Sequence, residues 1–377
     1  MSLLQDEFAQ ADGLRYLNHA AVAPWPKRAT RAVQSFAEEN LHLGARDYPD
    51  WLIVERRLRE RLARLLNSPT TADIALVKNT SEALSFVAFG LDWATGDQVV
   101  ISDQEFPSNR VVWEALKRFG VEVLQVSLDV PDPEGALLAS CGPRTRLMSI
   151  SAVQYASGLR LDLLRLGHGC RQSGVLFCVD AIQQLGALPF DAQAIDCAFA
   201  MADGHKWMLG PEGLGVFYCR SDLREQLKLH EYGWHMLEHP GDYERADWEP
   251  ARTARRFECG SPNMLGAMAL EASLSLLEEV GMAQVALALE ERVQWLQDGL
   301  ARIPGVQLRS PRNPERRAGI LNFRLDGWEN QALFEHLRAK QVVCAQRGGG
   351  IRFSPHFYTQ PRVIEETLSL LRQMADA

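Results

Sequence analysis

The chain has 377 residues, 46% hydrophobic and 23% charged, with 48 acidic against 40 basic side chains and a net charge of −8. Its length supports a large core and two domains, and its charge argues against nucleic acid or an anionic membrane surface as a partner. No apolar run reaches the roughly 18 residues that span a bilayer, and the N-terminus lacks the basic start of a signal peptide, so a cytoplasmic protein is expected. The seven cysteines are dispersed, without a C-x-x-C pair, and read as reduced, packed thiols; no metal is expected.

Residues 53–66 place apolar side chains every three or four positions and predict an amphipathic helix. Ile74–Val77 reads as a strand, and Asn79-Thr80-Ser81-Glu82 supplies capping residues for a helix over Ala83–Leu91. Val99–Ile101 is a strand and Val111–Phe119 a helix; Val121–Val126, Leu147–Ile150 and Val175–Val179 continue the alternation. Alternation across residues 70–220 predicts an α/β fold, a mainly parallel sheet with helices on both faces. Trp234–Arg256, rich in charge and aromatics, reads as a long functional loop. Helices over Leu265–Val280 and Val285–Ile303 precede strands at Val306–Arg309, Gly319–Leu325 and Gln341–Gln346. A helix over Asn330–Lys340 lies between the last two strands, and a final helix ends at Leu368–Met374. This pattern predicts a large domain over 15–254 and a smaller α+β domain over 255–377, with segment 1–14 packing on the latter.

Lys206 stands between glycines and beside His205, in a run from Ala202 to Gly215 with few other charges. A lysine so placed can lose its proton and form an imine with an aldehyde. The aldehyde cofactor that fits is pyridoxal phosphate, which needs an acid beside its ring nitrogen, donors for its phosphate and a flat face over its ring. Asp180 closes the apolar run Val175–Val179, at a strand's C-terminal end where open α/β sheets bind ligands; an aspartate there also serves as a simple helix cap. Gln183 is near enough in sequence to reach the ring oxygen, or else faces solvent. Thr80 and Ser81 open a helix whose N–H groups attract anions, and helix capping alone also explains them. Phe106, just past a strand end, suits ring stacking or core packing, and His205 suits a phosphate or a plain loop. Arg347 and Arg352 flank a glycine run, and an arginine inside a strand suits either a substrate carboxylate or an internal ion pair.

In order along the chain, these motifs resemble the class V aminotransferase group of fold-type I pyridoxal phosphate enzymes. That group holds cysteine desulfurases, selenocysteine lyase, kynureninase and isopenicillin N epimerase-like proteins. The resemblance rests on Asn79-Thr80-Ser81-Glu82-Ala83, Glu105-Phe106-Pro107-Ser108, Asp180-Ala181-Ile182-Gln183, Gly204-His205-Lys206-Trp207, Arg256 to Asn263 and Arg352-Phe353-Ser354, and it runs from Tyr16 to Tyr358. It implies that Lys206 bonds the cofactor and then moves protons, Asp180 pairs with the pyridine nitrogen and Gln183 contacts the ring oxygen. It implies that Thr80, Ser81 and His205 hold the phosphate, with Ser261 reaching the phosphate of a neighbouring subunit in a homodimer. Arg352, with Arg347, is implied to hold an amino-acid carboxylate, and His19 and Tyr155 to line the pocket.

The departures from the desulfurase pattern bear on function. Phe106 stands where desulfurases have a histidine over the ring, Tyr155 replaces an asparagine, and Asp203 replaces a serine or asparagine near the phosphate. Only Gly348-Gly349-Gly350-Ile351 separates Arg347 from Arg352, leaving no loop for a cysteine nucleophile, and Cys344 falls in a predicted strand. The expectation is amino-acid chemistry at Cα of the aminotransferase, epimerase or lyase type. The alternative is a C–S or C–Se lyase that works without a cysteine nucleophile. A non-catalytic nucleotide binder finds little support: there is no G-x-x-x-x-G-K-S/T loop, and Gly210 to Gly215 has the wrong spacing.

Overall fold

A computed structural model describes residues 6–375; residues 1–5 of the N-terminal segment and the last two residues lie outside the described residues. After β1 (Arg15–Tyr16) come two long helices, Lys27–Leu43 and Tyr48–Leu66. The second buries Trp51, Leu58, Leu62 and Leu66, one stripe at helical spacing, and stops at Asn67 in the left-handed conformation, φ 49°.

Strands β2 (Ile74–Val77), β3 (Gln98–Ser102), β4 (Glu122–Val126), β5 (Thr145–Ser151), β6 (Leu176–Asp180), β7 (Phe199–Asp203) and β8 (Gly215–Cys219) form one sheet, ordered β2-β8-β7-β6-β5-β3-β4. β8 runs antiparallel to both neighbours, and the remaining pairings are parallel. The expected mainly parallel sheet is therefore present. Successive side chains of a strand face opposite ways, and here both ways lead into core. Val99 and Ile101 join one apolar cluster while Val100 joins another, and Cys178 is separated in the same way from Phe177 and Val179. Helices cover both faces for that reason.

Beyond residue 255 the helix Met264–Val280 turns at Gly281 (φ 83°) into Met282–Ala301. The first of these lies back over Lys27–Leu43 and Tyr48–Leu66, tied by the ion pairs Arg28–Glu279, Arg61–Glu271 and Arg64–Glu278. Next come β9 (Val306–Leu308), β10 (Leu321–Leu325), β11 (Val342–Val343), β12 (Ala345–Arg347) and β13 (Gly350–Phe353), with helices Asn330–Ala339 and Pro361–Ala375 around them. β12-β13-β10-β9 make an antiparallel sheet, while β11 pairs in parallel with β1. The single strand expected over Gln341–Gln346 is thus two strands in two sheets. Gln341 adopts φ 60°, and the chain passes from one pairing to the other at Cys344. The helix expected over Val111–Phe119 is instead Ser108–Glu114 followed by a tighter turn to Phe119, stopped by Gly120 at φ 77°. Phe8 stacks on Tyr358, so the chain around Phe8 packs against the segment that follows β13. No single helix among the described residues is long and apolar enough to cross a membrane.

Because β2, β3, β5, β6 and β7 run the same way, their C-terminal ends share one edge of the sheet. Thr80, Phe106, Tyr155, Asp180 and Lys206 all sit on or just beyond those ends, where a ligand crevice belongs in such a fold.

Candidate active site

Lys206 is presented by a turn that its own backbone bonds hold shut. Gly210 N–H donates to Gly204 O (2.8 Å), Leu209 N–H to Lys206 O (3.0 Å) and Gly204 N–H to Leu214 O (2.9 Å). Leu209 sits in the left-handed region, φ 61°, with its carbonyl accepting from Ser273 Oγ (2.8 Å). Trp207 is fully buried and donates from Nε1 to Gln183 Oε1 (2.8 Å), which points its neighbour Lys206 the other way, into the cavity.

One cavity gathers Thr80, Phe106, Tyr155, Asp180, Gln183, Asp203, His205, Lys206, Arg347 and Arg352 on its wall. Burial lowers the proton affinity of the Lys206 amine, and Arg352 and Arg347 add to this while Asp180 and Asp203 oppose it. Asp180 moves the other way: burial raises its pKa, Glu105 and Asp203 push it further, and the Ile182 N–H and Lys206 pull it back. An amine that gives up its proton easily suits an aldehyde cofactor, and a buried acid at this strand end suits the ring nitrogen of pyridoxal phosphate. The Phe106 ring centroid lies 5.7 Å from Lys206 Nζ, and Tyr155 meets that ring edge-on at 5.1 Å.

Arg352, on β13 and 2% exposed, donates from Nη1 to the Tyr155 carbonyl (2.6 Å), while its Nε is buried without a partner. Burial and Arg347 bring its pKa down to about 10. Neither arginine has a carboxylate partner among the described residues, so the internal ion pair is not formed. Arg347 is exposed at the rim.

At the other end of the cavity stands the N-terminus of the helix Thr80–Gly90. Thr80 Oγ1 is buried with no hydrogen-bond partner, and so is His205 Nδ1. Two orphaned polar atoms beside a helix N-terminus suit a phosphate, and with Lys206 and Asp180 the donor set fits pyridoxal phosphate. Ser81 is exposed and donates to Ser108 Oγ (2.9 Å), a hydroxyl that does line the cavity.

Two further residues stand differently from their sequence assignment. His19 does not line the cavity: it is fully buried, its Nδ1 2.8 Å from the Ser354 carbonyl and its Nε2 2.7 Å from the Tyr358 hydroxyl. A carbonyl only accepts, so Nδ1 carries the proton and Tyr358 donates to Nε2; His19 braces the segment whose next residues, Ala20 and Ala21, form the wall. Gln183 reaches the wall, but its amide already donates to Ala20 O (3.0 Å) and accepts from Trp207. Ser261, assigned to the phosphate of a neighbouring subunit, lies outside its own chain's cavity, on a second one lined by Lys78, Glu231, Cys259 and Asn263.

Sequence reasoning missed Glu105 as a positioning group. It is buried and accepts from Ser102 Oγ (2.7 Å), Asn109 Nδ2 (2.8 Å) and the Ser151 N–H (3.0 Å), so it fastens the Phe106 loop to the end of β5. Its signal was its place in the Glu-Phe-Pro-Ser motif. Ser151 and the exposed Glu212 also line the cavity and carried no sequence signal. Cys344 is buried, with its thiol pushed up to about 12 by burial, and is not on the wall.

Fold and site together define a pyridoxal phosphate-dependent enzyme with a fold-type I architecture. The chain belongs to the class V aminotransferase family, whose model matches residues 15–357. Among curated relatives, a probable cysteine desulfurase of Methanothermobacter thermautotrophicus is 29% identical over 96% of this chain and 94% of its own. An isopenicillin N epimerase of Streptomyces clavuligerus is also 29% identical, over 96% and 94%. Among solved structures, a cystine C–S lyase in complex with its product cysteine persulfide superimposes with a TM-score of 0.87. It is 25% identical and covers 96% of this chain and 98% of that one.

Proposed function

We propose that the protein works at the Cα of an amino acid in the manner of an epimerase, aminotransferase or lyase, with Lys206 as its acid and base. The observation that carries this reading is that one cavity holds the buried Lys206 amine and the unpaired Arg352 guanidinium, with no cysteine on its wall. Pyridoxal phosphate, when bound, supplies an aldehyde and an electron-accepting ring that loosens bonds at Cα. Asp180, as the carboxylate beside the ring nitrogen, would hold a proton on that nitrogen. Lys206, free of its proton at low cost, first offers a nucleophilic amine and later carries the proton to or from Cα. Arg352 receives the substrate carboxylate in its fork and Arg347 closes the rim. Phe106 gives the ring a flat apolar face, and Thr80 and His205 hold the phosphate, with Ser108, to which Ser81 donates, on the same wall. Ser261, exposed and outside its own chain's cavity, serves the cavity of a second copy, so the working unit is a homodimer with shared sites. The free cysteines among the described residues suit a reducing, cytoplasmic setting. We also take residues 15–254 and 255–377 as its two domains, a division supported by the antiparallel sheet falling wholly within the second.

A second reading, C–S or C–Se bond cleavage without a cysteine nucleophile, is favoured by the likeness to the cystine C–S lyase. A substrate panel separates the two. With alanine, cysteine, cysteine sulfinate and selenocysteine in deuterated water, epimerase or aminotransferase chemistry gives exchange at Cα without sulfide or selenide. Release of sulfide from cysteine or selenide from selenocysteine at rates matching exchange gives the second.

A further inference from the structure

Asp203 ends β7 and sends its carboxylate to the phosphate end of the cavity. Its Oδ1 accepts the Thr80 N–H (3.0 Å), the first amide of the helix Thr80–Gly90. Its Oδ2 is 3.7 Å from His205 Nδ1. Thr80, 3% exposed, has its hydroxyl on the cavity wall without a partner. The carboxylate therefore draws on the donors that suit the phosphate, and two anions at one helix N-terminus repel each other.

We propose that Asp203 is a proton-dependent gate on the phosphate cradle: the cofactor's phosphate is held tightly only when Asp203 is protonated, so capture takes up one proton from solvent. The inference rests on the reading of this cavity as the cofactor site. Proton balance is simple: no bond other than the carboxyl O–H forms, and none breaks.

The surroundings fit such a gate. Burial brings Asp203 up to about 6, Glu212 on the facing turn adds to this, and the Thr80 N–H and Lys206 oppose it. Asp180 on β6 is a further acid facing the same space. His205 cannot supply a fixed counter-charge, because burial and Lys206 hold it down at about 4. Among the described residues, the cation that acts on Asp203 is the Lys206 amine, and burial makes that amine give up its proton more easily. A phosphate dianion arriving beside Asp203 pushes its pKa higher still, and protonation is the relief open to the pair.

The test titrates the full chain, freed of cofactor, with pyridoxine 5′-phosphate, which lacks the aldehyde and so removes Lys206 chemistry from the binding. Tryptophan fluorescence gives Kd from about pH 5 to about pH 8.5, on either side of the Asp203 range. Calorimetry in two buffers of different ionisation enthalpy counts protons. The gate predicts that D203N and wild type bind alike at the acid end, and that wild type is about tenfold weaker at the alkaline end. Wild type takes up a proton near neutrality that D203N does not, and pyridoxine without the phosphate shows neither difference. Parallel curves overturn the gate, as does weaker binding by D203N at every pH, which makes Asp203 a cap for Thr80. D203S replaces D203N if the amide variant misfolds. If both misfold, wild-type calorimetry alone decides, and phosphate-linked binding without extra uptake relative to pyridoxine sinks the proposal. If pyridoxal phosphate itself gives no visible absorbance band at any pH, the cofactor-site reading falls as well. A normal band with coincident curves removes only the gate.

Discussion

Lys206 gains its reactivity from position. Its amine is taken out of water while two arginines face it, and both effects favour the neutral form. Among the described residues, no other lysine lines the cavity. Lys206→Ala is therefore expected to lower turnover by at least about a thousandfold and to remove the borohydride-reducible adduct between protein and cofactor. A reducible adduct that persists in this variant assigns the bond to a different lysine. Arg352 is the complementary case, a buried guanidinium held by one carbonyl with its Nε unpaired. Leaving such a group without an anion is costly, and a substrate carboxylate supplies one. Arg352→Ala should raise KM for carboxylate substrates by about a hundredfold while changing cofactor Kd by no more than about twofold. Equal losses in both make Arg352 a structural residue.

The element that matters most is the turn from Gly204 to Leu214, which rests on parts of the chain remote from it. A Cβ on Gly186, itself at φ 91°, would stand 2.3 Å from the Trp207 carbonyl oxygen, and one on Gly319 would stand 2.2 Å from the Trp207 ring. Gly186→Ala meets backbone rather than a movable side chain and adds an unfavourable φ. It should cost about 2–4 kcal/mol of stability and weaken cofactor binding, because the turn carrying Lys206 must shift; thermal melts and cofactor titration read both. An unchanged Tm would show that the turn has slack. This dependence also marks how far the sequence is legible. Local signals are sufficient for β2 to β6 of the large sheet, and they put Thr80, Phe106 and Asp180 at strand ends on one edge, while β7 and β8 are not among the strands expected. Such signals fail where partners are distant in the chain. His19 is bonded to Ser354 and Tyr358, so nothing near it announces that both ring nitrogens are engaged. Gln183 gives the same lesson through Trp207 and Ala20, and Gln341–Gln346 divides between sheets because β1 claims its first half.

At the scale of the molecule, Ser261 stands apart from the cavity of its own chain, as a residue meant for a neighbouring subunit's phosphate would. It is exposed on another part of the surface, and an exposed serine in a motif shared with the cofactor residues makes sense if two copies complete each other's sites. Closed twofold symmetry makes such an exchange reciprocal, which gives a direct test by mixing. Lys206→Ala removes the amine from a site within its own chain. Ser261→Glu sets an anion against the phosphate of the partner's site, and at an exposed position it leaves the fold intact. Each variant alone should be nearly inactive. After unfolding and refolding together, half of the dimers are mixed, and each mixed dimer has one site with both an intact lysine and an intact serine. Activity should return to about a quarter of the wild-type value. If Ser261 instead serves the cavity of its own chain, the mixed dimer has one site without its lysine and one without its serine, and mixing restores nothing.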